Sequence, residues 1–219
     1  MQVLKFGGTS VANAEAIQKV VEITSKSVDR DRTILVVSAI RGCTDSLVRI
    51  GNLASQRDEA YKEVIDDLQK QHHQIIKELL PVEKHDESRE VCDSLFDSLR
   101  SIAQGVYLLG ELSPTSLDAI QGFGELWSSK IIATKLASIG IATKWVDSRQ
   151  IIRTVCNNNK NVVDIQKTYS RVNEMIEHNP ITQLFVMPGF IASDKQGRTT
   201  TLGRGGSDYS ASLFAVGCK

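Results

Sequence analysis

The spacing of apolar residues changes twice within the first forty positions. Gln2 to Phe6 is a short β-like run that stops at Gly7-Gly8-Thr9-Ser10. Beyond it, Ile17, Val20, Val21, Thr24 and Val28 recur at helical spacing and fall on one face. Thr33 to Ala39 then reads Thr-Ile-Leu-Val-Val-Ser-Ala, a continuous apolar, β-branched run without alternation. Such a run marks a strand buried on both faces. Helical and strand patterns alternate from there, which implies right-handed crossovers. The predicted class is α/β with a mostly parallel central sheet.

The middle of the chain breaks this rhythm. Tyr61, Val64, Ile65, Leu68, Ile75, Ile76 and Leu79 predict a long amphipathic helix. Pro81 and the polar run to Ser88 end it, and Val91, Leu95, Leu99, Ile102 and Val106 predict a second. The two read as a helical hairpin over about 57–110, inserted between sheet elements and serving as scaffold. Ser113-Pro114 is a helix start, a hydroxyl N-cap with proline at the first helical position. That helix is expected to run through Leu117 and Ile120 into Gly122-Phe123-Gly124-Glu125. Ile141 to Val146 predicts a strand. Val163-Asp164 predicts a helix opening, with Ile165, Tyr169, Val172 and Ile176 on one face. Gln183 to Met187 predicts a strand running into Pro188-Gly189-Phe190, and Asp194-Lys195-Gln196-Gly197 a hairpin turn. There is no internal repeat, low-complexity segment or flexible linker.

Composition narrows the partners. The chain has 219 residues, 41% hydrophobic and 24% charged, which suits a globular protein with one large core or two small ones. Lys+Arg and Asp+Glu balance at 26 each, which argues against nucleic acid or an anionic membrane as partner. No apolar run approaches the roughly 20 residues that span a bilayer. The first residues enter a strand pattern with no signal-peptide core, so a cytoplasmic location is expected. Cys43, Cys92, Cys156 and Cys218 are far apart and form no Cys-x-x-Cys pair, so reduced structural thiols are expected and no metal site. His72 and His73 read as packing or solvated residues, and Trp127 and Trp145 as core.

Four short segments carry candidate chemistry. Gly203-Arg204-Gly205-Gly206-Ser207-Asp208 follows a β-like run, Thr199 to Leu202, and precedes the apolar stretch Tyr209 to Val216. A glycine turn opening a helix lets backbone N–H groups approach an anion, and Arg204 adds a fork suited to carboxylate or phosphate. Asp208 places an acid in that positive setting, which suggests chemistry rather than passive anion binding. Lys5-Phe6-Gly7-Gly8-Thr9-Ser10 sets a lysine at a strand end beside a diglycine turn, suited to phosphoryl oxygens although it is not a Walker A loop. A tight turn with an unengaged lysine is the plain alternative. Ser38-Ala39-Ile40-Arg41-Gly42-Cys43-Thr44 closes a buried strand with two hydroxyls, which also fits simple capping. Glu125, in an apolar helix, would receive an ammonium group if it faces a cleft, or is solvated if it does not. Ligands bind beyond the carboxyl ends of strands in open α/β sheets, and phosphoryl transfer needs little beyond such donors, a cation clamp and Mg²⁺ carried by the nucleotide.

Val-Leu-Lys-Phe-Gly-Gly-Thr-Ser at the start and Gly197-Arg-Thr-Thr-Thr-Leu-Gly-Arg-Gly-Gly-Ser-Asp-Tyr209 near the end resemble the amino-acid kinase family, and within it the aspartokinases. The opening is similar to the kinase half of bifunctional aspartokinase–homoserine dehydrogenases. The resemblance covers essentially the whole chain. It implies a three-layer αβα sandwich and the transfer of phosphate from ATP, with Mg²⁺, to the side-chain carboxylate of L-aspartate. That reaction opens lysine, threonine and methionine biosynthesis. It assigns Lys5 and Asp208 as catalytic residues and Ser38, Thr44, Glu125, Arg204, Phe190 and Ser207 to aspartate. Lys5, Gly7, Gly8, Gly205 and Gly206 fall to the ATP phosphates. It also implies that the chain is the N-terminal, amino-acid-binding part of a longer catalytic domain, with further nucleotide-binding and regulatory parts beyond it, and that the full-length protein is a homo-oligomer. Two other readings keep the fold: an aspartate-binding module without turnover, and a kinase of another carboxylate such as glutamate.

Overall fold

The computed structural model describes residues 1–157 and 160–218. The chain begins β1 (Gln2–Phe6), α1 (Ala14–Val28), β2 (Thr33–Val37), α2 (Cys43–Ser55) and α3 (Ala60–Leu79). A single 3-10 turn, Val82–Lys84, leads to α4 (His85–Leu109), α5 (Pro114–Gln121), α6 (Phe123–Ser138) and β3 (Thr143–Trp145). Then come α7 (Ser148–Ile151), β4 (Thr154–Asn157), β5 (Lys160–Val163), α8 (Ile165–Glu177), β6 (Leu184–Pro188), β7 (Ile191–Ser193), β8 (Thr199–Thr201) and α9 (Gly206–Gly217).

The central sheet has the order β1-β2-β6-β3, and its three pairings are all parallel. Every residue of β2 and of β6 is buried, which explains their unbroken apolar sequence. The two faces separate by alternation. Ile34, Val36, Phe185 and Met187 join one core, with Val172 and Met175 of α8 and Leu213 and Phe214 of α9. Leu35, Val37, Leu184 and Val186 join the other, with helices α1 to α4 and α6. The result is a three-layer αβα sandwich. The α3–α4 hairpin is more than an appendage: Tyr61, Ile65, Phe96 and Leu99 belong to the same core as Val37 and Val186.

Three expectations change. The helix expected from Ser113 through Glu125 divides at Gly122 into α5 and α6. The hydrogen bond from the Leu126 N–H to the Gly122 carbonyl stretches to 3.4 Å. A Cβ on Gly122 would lie only 3.2 Å from Thr199 and 3.3 Å from Ile191, so the β7–β8 hairpin crowds the chain at this point. The strand expected over Ile141 to Val146 shortens to Thr143–Trp145. Val163 ends strand β5 of an antiparallel β4–β5 hairpin that no apolar alternation announces, and Asp164 caps α8. Among the described residues no helix is long and apolar enough to cross a membrane.

Candidate active site

Three strands of the parallel sheet deliver their carboxyl-terminal loops to one place, as open α/β sheets do. The loop after β1 brings Lys5, Gly8 and Thr9; the loop after β2 brings Ser38 to Gly42, and Thr44 at the start of α2; and the turn after β6 brings Phe190. With the start of α9 and Glu125 of α6 they line a cleft of about 420 Å³. The cleft thus gathers Lys5, Gly8, Ser38, Thr44, Glu125, Phe190, Gly205, Gly206, Ser207 and Asp208. Gly7 stands just outside it, where an added Cβ would lie 3.4 Å from the Lys5 Nζ. Arg204 is exposed, between two glycines that do line the cleft.

Two helices begin at this cleft, α2 and α9. Their N-caps are Gly42 (φ 81°) and Gly205 (φ 73°), and neither N-cap offers a side-chain acceptor to the first-turn amides. Unfilled N–H groups and the positive dipole ends of both helices therefore face the same space, a setting for anions. Lys5 adds a full positive charge, with its ammonium 2.7 Å from a carboxylate oxygen of Asp208. The Phe190 backbone holds φ at 66°, a left-handed conformation costly for an aromatic residue. Its N–H donates to Ser210 Oγ at 3.0 Å, and that hydroxyl donates to the Gly206 carbonyl at 2.9 Å, so the turn is tied to α9.

Glu125 is the unusual member. It is 3% exposed, and its Oε1 accepts the Ala39 N–H at 3.2 Å while Oε2 is buried without a partner. Burial raises its carboxyl to about 8, so the free site holds it protonated at neutral pH. Next to it on the same helix, Ser128 donates to the Ser38 carbonyl at 2.8 Å and fixes the β2 loop against α6. An orphaned carboxyl oxygen awaits a donor, and a cationic donor would also draw the proton off.

Sequence reasoning passed over Asp45, Ile40 and Ala39 as lining residues. Asp45 follows Thr44 in the first turn of α2 and reads as an ordinary acidic start to a helix. Ala39 contributes a backbone N–H, which no sequence pattern marks. Among the described residues no group of three His, Cys, Asp or Glu side chains is gathered for a metal ion.

A family model described as the amino acid kinase family matches residues 1–219. The chain is 29% identical over 213 residues to the chloroplastic bifunctional aspartokinase/homoserine dehydrogenase 2 of Arabidopsis thaliana, covering 97% of this chain and 23% of that protein. It is 30% identical over 213 residues to lysine-sensitive aspartokinase 3 of Escherichia coli, covering 97% of this chain and 45% of the relative. The chain thus spans less than half the length of either. The E. coli aspartokinase III structure in complex with aspartate and ADP superposes over the whole chain and 47% of its own, with a TM-score of 0.87 and 29% identity. The form in complex with lysine and aspartate gives 0.89 at 30% identity, again over the whole chain and 47% of its own. Parallel sheet, glycine-capped helix starts and whole-length match agree, and the chain belongs to the amino acid kinase family.

Proposed function

We propose that this cleft binds L-aspartate and carries phosphoryl transfer from ATP to its side-chain carboxylate, giving 4-phospho-L-aspartate. The observation that carries the reading is the pairing, in one cleft, of an unpartnered buried carboxyl oxygen on Glu125 with the Lys5–Asp208 ion pair at the anion-binding end. The crystal forms of the E. coli relative with aspartate support the choice of amino acid.

Each residue then has a separable task. Glu125 takes the α-ammonium through its free Oε2, and Ser38 and Thr44 give hydroxyls to the amino acid. Arg204, exposed between Gly203 and Gly205, swings onto the α-carboxylate, where a planar fork suits two oxygens. The side-chain carboxylate of aspartate is left as nucleophile toward Lys5. Asp208 holds the Lys5 ammonium in place, so the cation meets the transferring oxygens already oriented.

The residues fit the phosphate end of a nucleotide: two uncapped helix starts, the Gly8 turn and Lys5 all face the cleft. A nucleoside triphosphate bound there supplies the phosphoryl group. Mg²⁺ would arrive with the nucleotide, neutralising its phosphates beside Lys5.

Titration calorimetry with L-aspartate tests the reading. Glu125→Gln and Arg204→Met are each expected to weaken binding at least about tenfold, with L-glutamate a poorer ligand throughout. In the protein that carries this chain, Lys5→Ala should abolish aspartate-dependent ADP release. Unchanged aspartate affinity in Glu125→Gln would sink the amino-acid assignment. Undiminished turnover in Lys5→Ala would sink the catalytic one.

A further inference from the structure

A second cavity lies away from the cleft, between α4, α6 and β3. It measures about 180 Å³ and has apolar walls that include Val91, Leu95 and Ile131. Its polar lining is unusual. Ser88 and Trp127 both line it, and Ser88 Oγ and Trp127 Nε1 are buried with no hydrogen-bond partner. Buried indole N–H groups ordinarily find an acceptor, and one left unpaired is destabilising. Lys130 lies at the same cavity, half-buried, with its ammonium 3.7 Å from the centre of the Trp145 ring and no salt bridge among the described residues. Trp145 is itself fixed by donating to Ser129 Oγ at 2.9 Å. Glu87 also lines the cavity, but its carboxylate is paired with Lys84 at 2.9 Å.

Two unanswered donors and a cation beside apolar and aromatic walls define one complementary shape of ligand. We propose that this cavity binds a small monocarboxylate with an apolar or aromatic body. The carboxylate accepts from Trp127, Ser88 and Lys130, and the body packs against Val91, Leu95 and the Trp145 ring. Desolvation holds the Lys130 ammonium below the usual lysine range, a cost that an incoming carboxylate relieves. This site is independent of the aspartate reading, because none of its residues lines the catalytic cleft.

The chain has two tryptophans and both line this cavity, so intrinsic tryptophan fluorescence reports on it directly. Phenylacetate is the probe and 2-phenylethanol its uncharged control. Phenylacetate is expected to give a saturable change, with 2-phenylethanol about tenfold weaker. Lys130→Met should weaken phenylacetate about tenfold and leave 2-phenylethanol unchanged. Val91→Glu, at a partly exposed wall position, should weaken phenylacetate selectively by setting a like charge against it. Thermal melts of both variants check that each folds. A signal that does not saturate up to the solubility limit would overturn the proposal, as would equal binding of the two probes. Undiminished phenylacetate binding in folded Lys130→Met would overturn it too. Excess L-aspartate should leave the phenylacetate titration unchanged, and competition between the two would show that the signal comes from the catalytic cleft.

Discussion

The Lys5 ammonium and the Asp208 carboxylate meet at 2.7 Å across the mouth of the cleft, although the Asp208 side chain is 71% exposed. A pair so open to water contributes little to folding, of the order of 0–1 kcal/mol. Under the proposed function, its role is to hold a cation where a phosphoryl group would pass. In the protein that carries this chain, Asp208→Asn is therefore expected to leave the thermal midpoint within about 2 °C of the parent while sharply reducing aspartate-dependent ADP release. Melting curves and a coupled ADP assay on the same preparations separate the two effects. A large loss of stability would make the pair structural.

Glu125 predicts a proton count. Its carboxyl is raised to about 8 by burial, so at pH 7 the free site is mostly protonated. A ligand ammonium against Oε2 favours the carboxylate and expels that proton. Aspartate binding at pH 7 should release close to one proton, and the release should fade above pH 9. Calorimetry in buffers of different ionisation enthalpy measures it, and Glu125→Gln should bring it to zero. The same shift affects folding. Because the folded value is raised, the stabilisation is fully present below pH 4.5 and is lost as pH rises from there to about 8.

Gly124 fixes how closely α6 approaches the β2 loop. A Cβ built on it would lie 2.7 Å from the Ala39 Cβ, an atom that no rotamer change can move. The Cys43 Sγ and a methyl of Leu47 close in at 3.3 and 3.4 Å. Gly124→Ala gains about 1 kcal/mol of helix propensity but overpacks a full core at a cost of about 1–3 kcal/mol. The clash wins, because its partner is anchored to backbone. The melting temperature should fall by a few degrees, and aspartate affinity should fall with it as Glu125 shifts. Ala39→Gly in the same chain should restore much of both. A Gly124→Ala protein as stable as its parent would show that α6 moves freely here.

Much of this arrangement is legible in the sequence. The unbroken Ile34-Leu35-Val36-Val37 run gives a strand buried on both faces, and Ser113-Pro114 gives a helix start, since burial and capping act locally. Lys5, Glu125 and Asp208 are identifiable because charge and glycine stand out against apolar surroundings. What escaped depends on contacts distant in sequence. The division of α5 from α6 falls where Thr199 and Ile191, some seventy residues away, leave no room for a side chain on Gly122. The apolar residues of the β4–β5 hairpin sit side by side, Val155-Cys156 and Val162-Val163, and Cys156 and Val162 are exposed, so it lacks the apolar alternation that marks strands. Ala39 and Asp45 reach the cleft through a backbone amide and a helix start, which a sequence pattern does not distinguish from scaffold.

His72 gives a folding signature that can be separated from Glu125. Its ring is fully buried against Phe96 and Trp127, at 5.6 and 4.9 Å between centroids, and Nδ1 lies 2.7 Å from the Leu68 carbonyl. In the neutral ring Nδ1–H donates to that carbonyl, which leaves Nε2 as a buried acceptor without a partner. Burial lowers its pKa from 6.5 to about 4. The unfolded chain therefore binds the extra proton first as pH falls, and stability drops from pH 6.5 to about 4 before levelling. The full drop is of the order of 3 kcal/mol. Between pH 4.5 and 6.5 the Glu125 contribution runs the opposite way, so the wild-type curve is flattened there. His72→Leu removes one arm. The variant should be less stable than the parent at pH 7, through lost packing, yet should lose less stability than the parent on acidification from pH 6.5 to 4. Urea denaturation across that range measures the difference, and parallel curves for parent and variant would show that the His72 ring carries its proton in the folded protein.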